Sequence, residues 1–304
     1  MSETRIRFRH LQSFLTIAQL RSVGAAAQAL GITQPALSKT LRELEQALGS
    51  KLFTRDKTGM LLTRAGTTFL QHAAASVASI REGIDSVRQS QVTSGSELRI
   101  GVLPNVAAKI APKAVQRFKA QSPDTTVRVV TGDNARLLDM LRLGELELVV
   151  GRLAQPEYMV NLTFEHLFSE RLTGAVRPGH PLLTRSRFRL AMIADYPCIL
   201  PYHGTVIRQE IERHFMTAGI PRPADLIETT SSEFAHAYVR QTDAVWFLPR
   251  GYLDAVADRD FLAELPIAAR SLEGPVGITV RSEAKASLAA ARMIAAFRAE
   301  AASG

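Results

Sequence analysis

One predicted helix carries four hydrogen-bonding side chains on the side opposite to its leucines. The four polar residues are Gln34, Ser38, Lys39 and Arg42. The leucines recur at spacings of 4, 3 and 4, which is the helical period, and they are Leu37, Leu41, Leu44 and Leu48. A donor-rich helix face of this kind contacts base edges and phosphates in the major groove of DNA. The spacing therefore predicts a helix that reads DNA.

The residues before this helix predict the turn that places it. Residues 25–27 and Leu30 form a short helix with little side-chain bulk, and Gly31 supplies the backbone freedom of a tight turn. Thr33 is predicted to cap the second helix, and Pro35 suits its first turn. The alternative is an ordinary helical hairpin with a solvated outer face. That alternative explains the spacing but not the whole set of turn and cap residues.

A β-wing is predicted directly after the second helix. Residues 51–62 read as two short strands around the sequence Asp-Lys-Thr-Gly, in which Gly59 provides the turn. Lys57 and Thr58 then lie at the tip, and Arg55 lies just before it. A wing beside a recognition helix contacts phosphates or the adjacent minor groove, whereas the alternative is a solvated hairpin tip.

Residues 9–66 as a whole resemble the N-terminal winged helix-turn-helix of the LysR-type transcriptional regulators. The matching run is Leu11-Gln-x-Phe14, Ser22-x-x-x-Ala26-Ala27-x-x-Leu30, Thr33-Gln34-Pro35-Ala36-x-Ser38, Leu44-Glu45-x-x-Leu48-Gly49, Leu52-Phe53-x-Arg55 and Leu62-Thr63-x-x-Gly66. The resemblance implies a DNA-binding domain over residues 1–66. The DNA-contacting residues that we expect are Thr33, Gln34, Pro35, Ser38, Lys39, Arg42, Arg55, Lys57 and Thr58.

A heptad pattern follows in the predicted linker helix, residues 67–90. Apolar residues recur at spacings of 3, 4, 3, 4 and 3, and they are Leu70, Ala73, Val77, Ile80, Ile84 and Val87. So narrow an apolar stripe indicates a seam with a second, identical helix. We therefore expect a homodimer that places two recognition helices on an inverted-repeat promoter site in double-stranded DNA. The alternative is a connecting helix packed on its own domain.

Composition agrees with a DNA-binding N-terminal region. Residues 1–90 hold 12 Lys and Arg against 6 Asp and Glu, whereas residues 91–304 hold 25 against 23. The single cysteine, Cys198, excludes an internal disulfide and is interpreted as a small core residue. No signal-peptide core and no apolar run of about 20 residues is present, which predicts a cytoplasmic protein without membrane contact. The chain shows no metal-ligand spacing, nucleophile elbow or nucleotide loop, so we expect neither an enzyme nor a metal or cofactor.

The fold class predicted for the whole chain is α/β: a winged helix-turn-helix, a linker helix, and then a two-lobed effector domain. The polar run Gln89–Ser96 is the expected hinge, and the effector domain covers 91–304. Lobe I is predicted at about 97–165 and 272–304, and lobe II at about 166–271. The predicted strands, in a parallel sheet covered on both faces, are Leu98–Val102, Val127–Val130, Leu146–Gly151, Tyr196–Leu200, Val245–Leu248, Phe261–Pro266 and Val276–Val280. The predicted helices are Val106–Ala120, Ala135–Leu143, Val206–Ala218, Phe234–Val239 and Ala286–Glu300.

This half resembles the LysR effector domain, which is built like a small periplasmic binding protein. Ligands of open α/β sheets bind beyond the carboxyl ends of strands, against helix N-termini. The residues that we expect there are Asn105, Val106, Asn134, Arg152, Tyr202, His203, Thr205, Ser231, Phe247 and Pro249. Arg152 and His203, with Arg208 as a further cation, would hold a small anionic effector. The alternative for each polar residue is a simple helix cap.

Further phrases resemble the LysR regulators of protocatechuate catabolism. They are Phe8-Arg9-His10-Leu11-Gln12, Leu148-Val-Val-Gly-Arg152-Leu, Pro201-Tyr-His-Gly-Thr-Val-Ile-Arg208 and Asp243-Ala-Val-Trp-Phe-Leu-Pro-Arg250-Gly. The resemblance implies an effector such as protocatechuate or a carboxymuconate, a homotetramer, and contact with RNA polymerase. Regulators linked to a galactose-binding protein share part of the pattern, which leaves control of sugar uptake as an alternative. A small-molecule binding protein without gene regulation is the alternative from another class.

Overall fold

The computed structural model describes residues 6–57, 59–91, 96–184, 188–255, 261–267, 272–282 and 286–303, with the side chains of 81, 82 and 85–91 excepted. Packing divides the chain into two compact units. The first comprises Met1–Ser94 with Asp139–Leu146, and the second comprises Gly95–Leu138 with Glu147–Gly304.

The first unit is built from three short helices, a hairpin and one long helix. In chain order these are α1 (Phe8–Leu20), α2 (Val23–Ala29), α3 (Gln34–Leu48), β1 (Phe53–Asp56), β2 (Gly59–Leu62) and α4 (Arg64–Gln91). Ser22 and Thr33 cap α2 and α3 by accepting hydrogen bonds from the backbone N–H groups of Ala25 and Ala36. The leucine side of α3 is buried together with Phe14, as its spacing predicts.

The heptad pattern of α4 divides between two environments. Ala73 and Val77 are each 1% exposed and pack in the core of their own unit, with Leu70 against the same cluster. Ile80 and Ile84 are 44% and 46% exposed. The side chain of Val87 lies outside the described residues. The prediction of one continuous dimer seam is therefore wrong for Ala73 and Val77, because the same period also suits a helix face that covers its own core.

A single mixed sheet runs through the second unit. Its strand order is β4-β3-β5-β11-β6-β9-β7-β8, with β10 also paired to β6. The strands are β3 (Glu97–Val102), β4 (Thr126–Thr131), β5 (Leu148–Arg152), β6 (Leu162–Val176), β7 (Cys198–Leu200), β8 (Leu226–Glu228), β9 (Val245–Pro249), β10 (Ala263–Glu264) and β11 (Glu273–Arg281). We call β4-β3-β5-β11 the first half and β6-β9-β7-β8 the second half.

Each half contains both parallel and antiparallel pairs, and an antiparallel pair joins the two halves. Strand β3 is parallel to β4 and β5, and β7 is parallel to β8 and β9. Strand β11 is antiparallel to both β5 and β6, with a register shift between Val276 and Gly277. The helices are α5 (Pro104–Lys109), α6 (Ala111–Gln121), α7 (Asn134–Arg142), α8 (Val206–Thr217), α9 (Ser232–Val239), α10 (Arg250–Ala255) and α11 (Leu288–Ala302).

Several sequence predictions for this unit need correction. The helix predicted at 106–120 is two helices that meet at Ile110, because Pro112 occupies the first turn of α6 and has no N–H to donate. Strands β6 and β8 were not predicted, and the sheet is not wholly parallel. The strand predicted at 261–266 is reduced to Ala263–Glu264. Of the predicted hinge at 89–96, residues 89–91 end α4, and 92–95 lie outside the described residues.

None of the described helices is long and apolar enough to cross a membrane.

Candidate DNA-reading face and ligand cleft

The outer side of α3 presents the predicted donors to solvent. Thr33, Gln34, Pro35, Lys39 and Arg42 are exposed, and Ser38 is half-buried. Thr33 Oγ1 accepts the Ala36 N–H at 3.4 Å, and Pro35 lies in the first turn, where a missing N–H breaks no helical bond. Arg42 Nε donates to the Ser38 carbonyl at 3.3 Å. The predicted set thus shares one helix face, opposite to the buried leucines.

The wing is fixed to the end of α3 by a buried carboxylate. Glu45 Oε1 accepts the Leu52 N–H at 2.9 Å, and Glu45 Oε2 accepts Lys51 Nζ at 2.7 Å. Arg55 and Lys57 are exposed on the hairpin, while Thr58 lies outside the described residues. The wing therefore holds its cations in a fixed relation to α3.

Arg21 is a cation beside the wing that the sequence prediction missed. It ends α1 in the left-handed conformation, with φ of 50°, and its carbonyl accepts the Met60 N–H at 2.8 Å. A Cβ on Gly59, whose φ is +121°, would lie 2.5 Å from the Arg21 oxygen. No motif marks Arg21, because a left-handed non-glycine residue has no spacing signal.

A cleft of about 670 Å³ lies in the second unit. The residues that line it follow the carboxyl ends of strands in both halves of the sheet, where α5, α7, α8, α9 and α10 begin. The predicted residues that line it are Asn105, Asn134, Arg152, Thr205, Ser231, Phe247 and Pro249. The strand-end argument thus finds most of the predicted cleft residues.

Three predicted effector residues do not line this cleft. Val106 is buried in the core, and Tyr202 is largely exposed. His203 has a side chain 58% exposed and lies 3.6 Å from Glu212 and 3.9 Å from Glu228. His203 therefore lies beside these carboxylates and Arg208, and it is not among the described residues that line the cleft.

Arg208, the further predicted cation, is also outside the cleft. Its guanidinium is buried and donates to Glu212 Oε1 and Glu228 Oε1, each at 2.7 Å, and to the Pro201 carbonyl at 2.9 Å. Two carboxylates and a carbonyl satisfy the guanidinium, so this cation stabilises the start of α8 rather than a ligand.

Arg152 lines the cleft, but its charge is already paired. The residue is 2% exposed. Arg152 Nη1 donates to Glu210 Oε2 at 2.5 Å, and Nη2 donates to the Glu170 carbonyl at 2.9 Å. Among the described residues, its buried Nε has no hydrogen-bond partner, and neither has the buried Oδ1 of Asn134, whose Nδ2 donates to the Arg152 carbonyl. The cleft wall therefore holds one unmet donor and one unmet acceptor.

Carboxylates outnumber cations along the described lining of the cleft. Arg152 is the one cationic side chain there, against Asp133 and Glu233. Hydrogen bonds from its own backbone N–H and from the Ser231 hydroxyl hold the pKa of Glu233 below its ordinary value. Burial raises the pKa of Glu210, although Arg152 opposes this shift. A ligand anion must therefore rely on backbone N–H groups and hydroxyls more than on ion pairing.

Hydroxyl groups surround the starts of α8 and α9. Thr205 Oγ1 accepts the Arg208 N–H at 3.3 Å, and Ser231 Oγ accepts the Phe234 N–H at 3.1 Å, so both are helix caps. The other hydroxyl-bearing residues along the described lining of the cleft are Thr131, Thr229, Thr230, Ser232 and Tyr252. The cap interpretation and the cleft interpretation are both correct for Thr205 and Ser231, because a cap lies where the helix N-terminus meets the cleft.

An aromatic pair completes the wall of the cleft. Trp246 is the single tryptophan of the chain, and it packs edge-to-face on Tyr252 with 5.3 Å between ring centroids. Both residues line the cleft, and neither was predicted. The available signal was the position of Trp246 on a buried strand that ends at Pro249.

Two further features of the molecule are the possible metal ligands among its described residues and the thiol of Cys198. No group of three His, Cys, Asp or Glu side chains there could hold a metal ion. Cys198 lies in the core cluster of the second half, and burial raises the pKa of its thiol to about 12. The thiol is therefore protonated and shielded at neutral pH.

Comparison with known proteins identifies both regions. Residues 8–67 match the family model described as bacterial regulatory helix-turn-helix protein, lysR family, and residues 92–302 match the LysR substrate binding domain. The chain is 41% identical to the HTH-type transcriptional regulator PcaQ of Agrobacterium fabrum, over 98% of this chain and 96% of that protein. It is 36% identical to the regulator YdcI of Escherichia coli, over 97% and 95%.

Among solved structures, full-length BenM has the same fold. Its TM-score is 0.57 at 21% identity, with 98% of this chain and 97% of that chain covered. The similarity to PcaQ supports the predicted protocatechuate subgroup, and the prediction of a regulator rather than an enzyme is confirmed by the family. With both family models matched and a full-length relative above 40% identity, the chain belongs to the LysR family of transcriptional regulators.

Proposed function

We propose that this regulator controls a catabolic operon in response to a small carboxylated metabolite of aromatic catabolism, such as protocatechuate or a carboxymuconate. The cleft of about 670 Å³ is the observation that carries this proposal. The N-termini of α8 and α9, with their hydroxyls, favour a carboxylate, and the Trp246–Tyr252 pair favours a planar apolar group. The similarity to PcaQ supports the same class of ligand.

The proposed mechanism assigns the DNA contacts to residues 1–66, dimerisation to residues 67–90 and effector binding to residues 91–304. A homodimer places two α3 helices on an inverted repeat, and two dimers form a homotetramer in the cytoplasm. Ligand binding changes the relation between the two halves of the sheet, and thereby DNA bending and contact with RNA polymerase. The ligand acts only through its different affinities for the two states of the protein.

The single tryptophan makes ligand binding directly measurable. The full-length protein is titrated with protocatechuate while the fluorescence of Trp246 is recorded, and succinate serves as an acid without a ring. We expect a saturable change with protocatechuate, none with succinate, and none in Trp246→Phe. The operator complex is then examined in gel-shift and DNA-bending assays. Unchanged fluorescence, together with unchanged complexes for both proposed acids, would contradict the proposal.

A neutral, hydroxyl-rich ligand is the second candidate. It is favoured by one observation: Arg152 is paired with Glu210, while Asp133 and Glu233 add acceptors to the cleft. Such walls suit ligand hydroxyls that donate hydrogen bonds, as in a sugar. The same titration with galactose separates the candidates. Saturation by galactose and not by protocatechuate would assign the regulator to sugar uptake.

A further inference from the structure

A buried carboxylate lies between two helices that line the cleft from different halves of the sheet. Glu170 is on β6 and is 6% exposed. Its Oε2 accepts a short hydrogen bond from the side-chain amide of Asn105 on α5. Its Oε1 accepts the backbone N–H of Gly251 on α10 at 3.2 Å. Helix α5 follows a strand of the first half, and α10 follows a strand of the second half.

The Glu170 carboxylate occupies the space that a side chain at position 251 would take. A Cβ on Gly251 would lie 2.3 Å from Glu170 Oε1 and 3.1 Å from Lys109 Cδ, so any larger residue there would displace the carboxylate. A second contact between the same helices lies nearby, where Lys109 Nζ is 3.4 Å from Asp254 Oδ2. The close approach of α5 and α10 therefore depends on Glu170 and on the missing side chain of Gly251.

We propose that Glu170 is a positioning residue of the ligand cleft, which joins α5 to α10 through Asn105 and Gly251. This inference rests on the proposed function only in treating the cleft as the ligand site. Asn105 lines the cleft, and Tyr252, which follows Gly251, packs edge-to-face on Trp246. Loss of the Glu170 bridge therefore loosens α10 and uncovers the Trp246 ring.

Acrylamide quenching of Trp246 in the full-length, ligand-free protein tests this bridge. Glu170→Met removes both acceptors while keeping a similar side-chain length, and we expect the quenching constant to rise about twofold or more. Glu170→Gln keeps an acceptor for Gly251, and Asn105 can turn its amide to accept from the new N–H group. This conservative variant should quench like the wild type. A merely space-filling side chain would show no such difference between Met and Gln.

Glu165→Met is the matched control. Glu165 lies on the same strand, but its side chain is 42% exposed and is paired with Arg298 at 2.6 Å, so its loss should leave quenching unchanged. If Glu170→Met fails to fold, Gly251→Ala displaces the carboxylate without removing a polar group and should raise quenching in its place. A quenching constant in Glu170→Met equal to that in Glu165→Met would overturn the proposal. An equal rise of the quenching constant in Glu170→Gln and Glu170→Met would overturn it as well. Because no ligand is used, failure here is distinct from failure of the proposed effector.

Discussion

Arg152 Nη1 and Glu210 Oε2 lie 2.5 Å apart and join the end of β5 to helix α8. Arg152 lines the cleft, whereas Glu210 lies on a helix that begins after β7, a strand of the second half of the sheet. A buried ion pair of this kind contributes little net stability when intact, but its disruption leaves an uncompensated charge. This asymmetry makes the pair sensitive to single substitutions.

Substitution of Arg152 by Met should destabilise the second unit by about 2–4 kcal/mol, because the largely desolvated Glu210, whose side chain is 18% exposed, is left without its partner. Urea unfolding followed by Trp246 fluorescence measures the effect. The double variant Arg152→Met/Glu210→Gln should recover part of the loss, since no charge remains. Equal stability of the single and double variants would show that the unpaired Glu210 charge does not cause the loss in the free energy of unfolding.

The stability of the second unit should respond to the titration of its buried glutamates. Burial raises the pKa values of Glu170 and Glu210 above their ordinary value of 4.5. The folded state therefore binds a proton at each of these two carboxyls more tightly than the unfolded state does. This proton binding contributes to stability fully below pH 4.5, and the contribution is lost as pH rises through the raised pKa values.

The stability of the variant Glu170→Gln/Glu210→Gln should not depend on pH through these two positions, because glutamine does not titrate. Its thermal midpoint relative to the wild type should therefore increase as pH rises from about 4 to about 7. Differential scanning fluorimetry across that range is the measurement. A constant difference in midpoint at every pH would contradict the assignment of the raised pKa values.

Substitutions on α3 should separate base reading from phosphate contact. Gln34→Ala or Ser38→Ala should cost about 1–3 kcal/mol at the specific site and leave binding to random DNA nearly intact. Lys39→Ala should weaken both and reduce the salt dependence. Fluorescence anisotropy at matched salt with both DNAs provides the comparison. Equal losses on random DNA would place Gln34 and Ser38 among the positioning contacts.

Gly59→Ala should destabilise the wing by about 1–3 kcal/mol, because the left-handed backbone and the Arg21 carbonyl both oppose a side chain. Operator affinity should fall with it, since the wing cations lose their fixed place beside α3. Gly83→Ala is the matched control: a Cβ there meets nothing within 4 Å in helix α4, and it should stabilise slightly. If both variants bind the operator alike, the wing does not contribute to binding.

The exposed part of the heptad pattern should carry the proposed dimer. Ile84→Glu places a charge at a position that a partner helix would bury, so sedimentation velocity should show a shift toward monomer. Ala75→Glu adds the same charge to an exposed position of α4 and should leave the assembly unchanged. Dissociation by both variants alike would indicate a general charge effect.

The sequence predicted those features that depend on short-range signals. Thr33, Pro35 and the leucine spacing specify α3, because caps and periodicity act within a few residues. Strand ends located Asn134 and Thr205, whereas Ser231 follows β8, a strand that was not predicted. The heptad spacing could not separate Ala73 and Val77 from Ile80 and Ile84, because a core face and a partner face have the same period.

Long-range relationships account for what the sequence did not predict. The bridge through Glu170 joins residues from three separate parts of the chain, and the pair of Arg152 with Glu210 spans 58 positions. Strand β6 mixes exposed and buried residues without regular alternation, so no period-2 pattern marks it. Such features arise from packing, which no local pattern contains.

The antiparallel ribbon of β6 and β11 restricts how one half of the sheet can move against the other. The paired register runs from Glu273 opposite Arg171 to Arg281 opposite Leu162, and sliding by one residue would exchange the two faces of the ribbon. If the two halves of the sheet move against each other, we therefore expect the ribbon to twist rather than slide. The bulge at Val276 and Gly277 interrupts the ladder, and a bulge increases local twist. We therefore expect any movement of one half of the sheet against the other to twist the ribbon at this bulge.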